Sequence, residues 1–180
     1  MPKLKVIVCF GALSFPLGGL LAAESGGAPE SERVFKLLSD AKTMTFQLKE
    51  DAVVMESFTR MKVSVETQAA AIDKITEDIN ALRRQETKLQ DAKTEASPWQ
   101  KNAIERITPF LDELEGYTLA IVEHLKGAPK HNFAEYDDYL EANADYATDL
   151  AAMIADYVEY GKTKERLERL AGKLEIPLAR

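Results

Sequence analysis

Two histidines and a glutamate lie close together in the chain and have the chemistry to bind a metal. His124 and His131 flank a segment that contains glycine and proline, and Glu135 follows His131 with the i, i+4 spacing of one helical face. A protein metal site needs three or four converging ligands, and this spacing is a weak signal for one. The Glu-x-x-His pattern of di-iron bundles does not occur in the sequence. We therefore predict no cofactor, and a loop that handles a metal or haem remains an alternative.

Tyrosines and acids near the C-terminal end could form a surface for a partner. Five of the six tyrosines fall between residues 136 and 160, among acids spaced by three or four residues. That spacing places the acids on one face of a helix, and tyrosine is typical of interfaces. The alternative is a solvated helix face with half-buried tyrosines. The residues predicted to bind a basic partner or a cationic ligand are Tyr136, Asp138, Tyr139, Glu141, Asp145, Tyr146 and Asp149.

Catalysis and nucleic-acid binding find no support in the sequence. It contains no glycine-rich phosphate loop and no Gly-x-Ser-x-Gly elbow, so we predict that the protein is not an enzyme. The chain has 23 basic and 30 acidic residues, a net charge of −7, whereas nucleic acids and anionic membranes attract basic surfaces. We therefore predict no nucleic-acid partner.

The N-terminal residues have the pattern of a signal peptide. Lys3 and Lys5 precede an uncharged apolar run over residues 6–21, which is shorter than the roughly 20 residues of a membrane span. We predict a signal peptide over residues 1–23 and a flexible leader over residues 24–31, with an uncleaved anchor as the alternative. Cleavage removes Cys9, the only cysteine, and leaves no stable membrane span. The expected location is periplasmic or secreted.

The rest of the chain has the apolar periodicity of helices. Residues 31–96 contain neither glycine nor proline, and a slip in the apolar rhythm near residues 57–64 predicts a turn rather than one long kinked helix. The residues from Ser97 to Gln100 form a capping box with proline at the first helical position, and we expect Trp99 to be a core anchor. The predicted helices span about residues 32–58, 64–94, 98–126 and 133–175.

Four helices with short connections predict an all-α, up-and-down four-helix bundle over residues 32–176, with a longer C-terminal helix. The tail of that helix either folds over the end of the bundle or projects and forms a homodimer. The predicted function is non-enzymatic: an exported module that binds or scaffolds a protein partner in the cell envelope. An extracytoplasmic chaperone-like protein with an exposed apolar groove is a further alternative.

Overall fold

The computed structural model describes residues 30–61, 63–127 and 133–177, and these residues form an all-helical fold. The predicted signal peptide and residues 24–29 of the leader lie outside the described residues. No strand occurs in the described ranges. The four helices are α1 (Glu32–Ser57), α2 (Val65–Asp91), α3 (Pro98–Lys126) and α4 (Phe133–Leu174).

The predicted break between the first two helices is confirmed. The helix α1 ends at Ser57 and continues into a short 3-10 turn, Phe58–Arg60. Ser64 then caps α2, with its hydroxyl oxygen accepting a hydrogen bond from the backbone N–H of Thr67 at 3.2 Å. A single kinked helix over residues 31–96 is therefore wrong. The helix α2 also ends at Asp91, earlier than predicted, because the chain tightens into a second 3-10 turn there.

Each helix packs against its neighbour in sequence, and α4 also packs against α1. Neighbouring helices run in opposite directions. In α1 and α2, the Nζ atom of Lys74 lies 2.6 Å from Asp51, and Gln85 donates to the backbone oxygen of Leu37 at 2.9 Å. This arrangement is consistent with a helical bundle. Side-chain contacts show the same antiparallel arrangement for α2 with α3 and for α3 with α4. These contacts are Arg83 with Glu115, Lys93 with Glu105, Asn143 with Thr118, and Tyr157 with Asn102.

The core is built from leucine and isoleucine side chains of all four helices. Full burial of one such side chain contributes roughly 1.5–3 kcal/mol, so the apolar stripes found in the sequence supply the main driving force of folding. The largest fully buried side chains include Leu38, Leu48, Ile75, Leu82, Ile104, Leu111, Leu114, Leu140 and Leu150.

Gln100 joins the start of α3 to the start of α1. Its side-chain oxygen accepts from the backbone N–H of Ser97 at 2.9 Å and of Ser31 at 3.1 Å, and its amide nitrogen donates to the backbone oxygen of Ser31 at 2.9 Å. Of the predicted capping box, the half in which the Ser97 backbone N–H donates to Gln100 is formed, whereas the buried hydroxyl of Ser97 makes no hydrogen bond within the described residues. One buried side chain thus satisfies backbone groups at two helix starts.

Trp99 packs where the same end of the bundle meets α4. Its indole N–H donates to the carboxylate of Glu30 at 2.9 Å, and its ring meets Tyr160 edge-on at 5.5 Å between centroids. The indole is half-buried, so it anchors the edge of the core rather than its centre. Glu30 also pairs with Lys164 of α4 at 2.5 Å. The tryptophan therefore ties α3 and α4 to the residue that precedes α1.

A carboxylate pair between α1 and α2 makes stability depend on pH. Burial and the neighbouring carboxylate of Asp51 raise the pKa of Asp78 to about 6. A carboxyl group with a raised pKa in the folded state stabilises the fold most below its ordinary pKa. That contribution is lost as the pH rises through about 6.

Replacing Asp78 with asparagine is therefore expected to raise the free energy of unfolding at pH 7 by about 1 kcal/mol. The figure is discounted because the side chain is only partly buried and water screens the repulsion. Urea denaturation at pH 7 and at pH 3 measures the effect, and the gain should disappear at the lower pH. The matched control is Asp73→Asn, an exposed aspartate of the same helix. Equal gains in both variants would contradict the prediction.

Candidate functional site

A row of aromatic side chains lies in the seam between α3 and α4. Tyr117 of α3 contacts both Tyr139 and Tyr146 of α4, at 6.5 Å and 5.5 Å between ring centroids. Phe110, two turns earlier on α3, meets Tyr146 edge-on at 6.2 Å. These rings are half-buried, so each presents part of its surface to solvent. Aromatic residues in such positions offer a large contact area and a polar hydroxyl to a partner.

The aromatic row continues into an open cavity of about 570 Å³ on the same seam. Arg106 is the basic side chain of its lining, and its guanidinium lies 6.0 Å from the centre of the Tyr157 ring. Asp149 and Asp156 supply two acids on the α4 side. We call the cavity and the adjoining ring of Tyr146 the α3–α4 groove. The cavity is lined by Arg106, Phe110, Asp149, Met153, Asp156, Tyr157 and Tyr160.

The predicted partner-binding residues lie in three different environments: the α3–α4 seam, the core and the exposed face of α4. Tyr139 and Tyr146 are half-buried in the seam. Tyr136 is only 8 % exposed, and its hydroxyl donates to Gln68 of α2 at 2.8 Å. Tyr136 is therefore a core residue and not part of an exposed surface. The four predicted acids are all exposed on α4, and we call them the acidic ridge: Asp138, Glu141, Asp145 and Asp149.

The hydroxyls of Tyr136, Tyr139 and Tyr146 stay protonated at neutral pH. The hydrogen bond to Glu135 raises the pKa of Tyr139, and the charge of Glu113 raises that of Tyr146. Burial raises the pKa of Tyr136 to about 12. A phenol with a raised pKa is a poor proton-transfer group near pH 7, so these hydroxyls are suited to hydrogen bonding.

The residues considered for a metal are not brought together where the structure describes them. The ring of His124 stacks on that of Tyr136 at 4.7 Å, and Glu135 accepts a hydrogen bond from the hydroxyl of Tyr139 at 2.5 Å. His131 lies outside the described residues. Within residues 30–61, 63–127 and 133–177, no group of three His, Cys, Asp or Glu side chains could hold a metal ion.

Sequence reasoning found the α4 half of this seam and missed the α3 half. Phe110 and Tyr117 are seven residues apart, as are Tyr139 and Tyr146. Two aromatic heptad spacings on neighbouring antiparallel helices could have indicated that their rings meet. Arg106 carries no comparable signal, because a single arginine on a polar helix face is ordinarily solvated.

The chain matches no known protein family model, no curated protein and no solved structure in the comparisons made. Across the described part of the chain, no helix has both the length and the apolar character needed to cross a membrane.

Proposed function

We propose that this protein is an exported, non-enzymatic, up-and-down four-helix bundle that binds or scaffolds a basic protein partner in the cell envelope. The observation that carries the proposal is the state of the acidic ridge. Its four carboxylates are exposed, and none of them pairs with a basic side chain among the described residues. A row of unpaired carboxylates along a helix attracts a positively charged partner.

The aromatic seam beside the ridge supports an interface rather than a merely solvated face. Tyr139 and Tyr146 border the ridge and present rings and hydroxyls together. An interface combines an apolar centre with a polar rim, and rigid aromatic rings lose little entropy on contact. The rings would supply contact area, while the carboxylates would guide the approach and orientation of the partner.

The test is a triple charge reversal, Asp138→Lys, Glu141→Lys and Asp145→Lys, in the full chain expressed in its own host. Asp149 is left unchanged because it also lines the groove. Crosslinking in the intact envelope, followed by affinity capture and mass spectrometry, measures the associated proteins. Recovery of a specific partner should fall by about tenfold or more, because each reversal replaces attraction with repulsion.

The matched control reverses three exposed acids on other helices: Asp40→Lys on α1 with Asp73→Lys and Asp91→Lys on α2. It produces the same change of net charge and should leave partner recovery unchanged. Partner recovery that is equal in both triple variants would contradict the proposed surface. The mass of the recovered protein also tests export, because cleavage after Ala23 leaves Glu24 as the first residue.

A further inference from the structure

The end of α4 extends beyond the rest of the bundle. Tyr160 meets Trp99 in the first turn of α3, and Lys164 pairs with Glu30, just before α1 begins. The ten residues from Glu165 to Leu174 follow the last of these contacts and remain helical, over roughly 15 Å at 1.5 Å per residue. We call Glu165–Leu174 the tail.

The tail carries an uncovered apolar stripe. Leu167, Leu170 and Leu174 are 53 %, 45 % and 65 % exposed. Their spacing of three and four residues places them on one side of the helix. Leu167 and Leu174 also continue the seven-residue spacing of the α4 side chains that border α3, which are Tyr139, Tyr146, Met153 and Tyr160. The apolar stripe of the tail is therefore continuous with the stripe of the α3–α4 groove.

The tail and the groove differ in charge. The tail contains three basic side chains and two acidic ones, whereas the whole chain has a net charge of −7. Arg166, Arg169 and Lys173 are exposed on the tail. The groove has two acidic side chains, Asp149 and Asp156, and one basic side chain, Arg106, so its net charge is negative. A tail of net positive charge with an apolar stripe therefore complements a groove of net negative charge that is lined by aromatic side chains.

We propose that the tail of one copy of this chain docks in the α3–α4 groove of a second copy, and that the second tail docks reciprocally in the first groove. A two-fold axis near Tyr160 sets the α4 helices antiparallel. In that register Leu167 faces Met153 of the partner subunit, and Leu174 faces the partner's Tyr146.

Lengths and charges fit this register. Tyr160 is fourteen residues from Leu174 and fourteen from Tyr146, so each arm spans roughly 21 Å of helix. A two-fold axis uses the same surface on both copies, so every favourable contact is made twice. Leu167 and Leu174 then lie on a methionine and a tyrosine of the groove, and the basic residues of the tail lie near Asp149 and Asp156. The inference uses residues other than the three reversed in the partner test, so either proposal can fail without the other.

The first test measures the mass of the purified chain by analytical ultracentrifugation over a dilution series. The unchanged chain should dimerise, and the triple variant Leu167→Glu, Leu170→Glu and Leu174→Glu should be monomeric. Leu119→Glu, a substitution at an exposed leucine of α3 outside the groove lining, should leave the dimer intact. Circular dichroism should show the same helix content in all three proteins. A monomeric unchanged chain, or a dimeric triple variant, would overturn the proposal.

The second test separates docking in the groove from simple pairing of two tails. The groove variant Asp149→Lys with Asp156→Lys, and the tail variant Arg166→Glu with Lys173→Glu, should each weaken self-association by about tenfold. Mixed in equal amounts they should form a heterodimer, because a basic groove then faces an acidic tail and the second contact is native. Native mass spectrometry distinguishes the two variants by mass. Loss of the dimer in each variant without its recovery in the mixture would overturn docking in the groove.

Discussion

Replacing Gly161 with leucine is expected to lower the free energy of unfolding by about 3 kcal/mol, the upper part of the range for overpacking a core. A Cβ atom at this position would lie 2.6 Å from the Phe35 ring and 2.9 Å from the Trp99 ring. Trp99 cannot retreat without loosening its hydrogen bond to Glu30 and its contact with Tyr160. The glycine is required for space and not for an unusual backbone angle, because no glycine among the described residues has a positive φ.

The matched control for this prediction is Gly172→Leu in the same helix, where a Cβ atom would meet nothing within 4 Å. Both substitutions gain the same helix propensity, so the difference between them reports the crowding at Gly161. Thermal and urea denaturation of both variants measures that difference. A loss at Gly161 no larger than the change at Gly172 would show that Phe35 and Trp99 move aside without cost.

Replacing Gln100 with leucine is expected to cost about 3 kcal/mol as well, by a different mechanism. The side chain is fully buried and makes three hydrogen bonds to backbone groups of Ser31 and Ser97. Leucine has a similar size and restores none of these bonds, so the backbone N–H of each serine loses its partner, whereas the carbonyl of Ser31 keeps its hydrogen bond from the backbone N–H of Phe35. A buried polar group without a partner costs about 1–3 kcal/mol.

The control is Gln90→Leu, at an exposed glutamine of α2, which should change the free energy of unfolding by about 0.5 kcal/mol or less. Hydrogen exchange supplies a second measurement. In the Gln100 variant the backbone amides in the first turns of both α1 and α3 should exchange faster, because the Gln100 side chain hydrogen-bonds at the start of both helices. Faster exchange confined to α3 would contradict the role of Gln100 at Ser31.

Spacing and capping residues were sufficient to predict the helices. The slip in the apolar rhythm near residues 57–64 placed the first turn correctly, and Ser97 with Gln100 placed the start of α3. The end of α2 was harder to predict, because Lys93–Glu95 has no residue that forbids continued α-helix. Gly127, which follows the last residue of α3, has a φ of −89° and not the left-handed conformation that glycine often adopts at the end of a helix.

Long-range contacts were not predictable from a single sequence. Tyr136 has the same pattern as Tyr139 and Tyr146, but its hydroxyl reaches Gln68 on α2 and its ring is buried. Periodicity places a side chain on a helix face and does not specify which neighbour covers that face. Gln100 also contacts Ser31, and the two residues are 69 positions apart in the sequence, so this contact could not be predicted for the same reason. The sequence thus indicated the ridge, while the groove required the packing of α3 on α4.

The pair formed by Glu30 and Lys164 has a mechanical consequence for the bundle. Glu30 precedes α1 and Lys164 lies near the end of α4, so the chain enters and leaves the bundle at the same pole. Tension between these two points would peel α1 away from α4 and break the contacts between them one layer at a time. Tension between opposite poles would have to shear all the layers at once. We therefore expect the fold to yield at low force when it is pulled by its two ends.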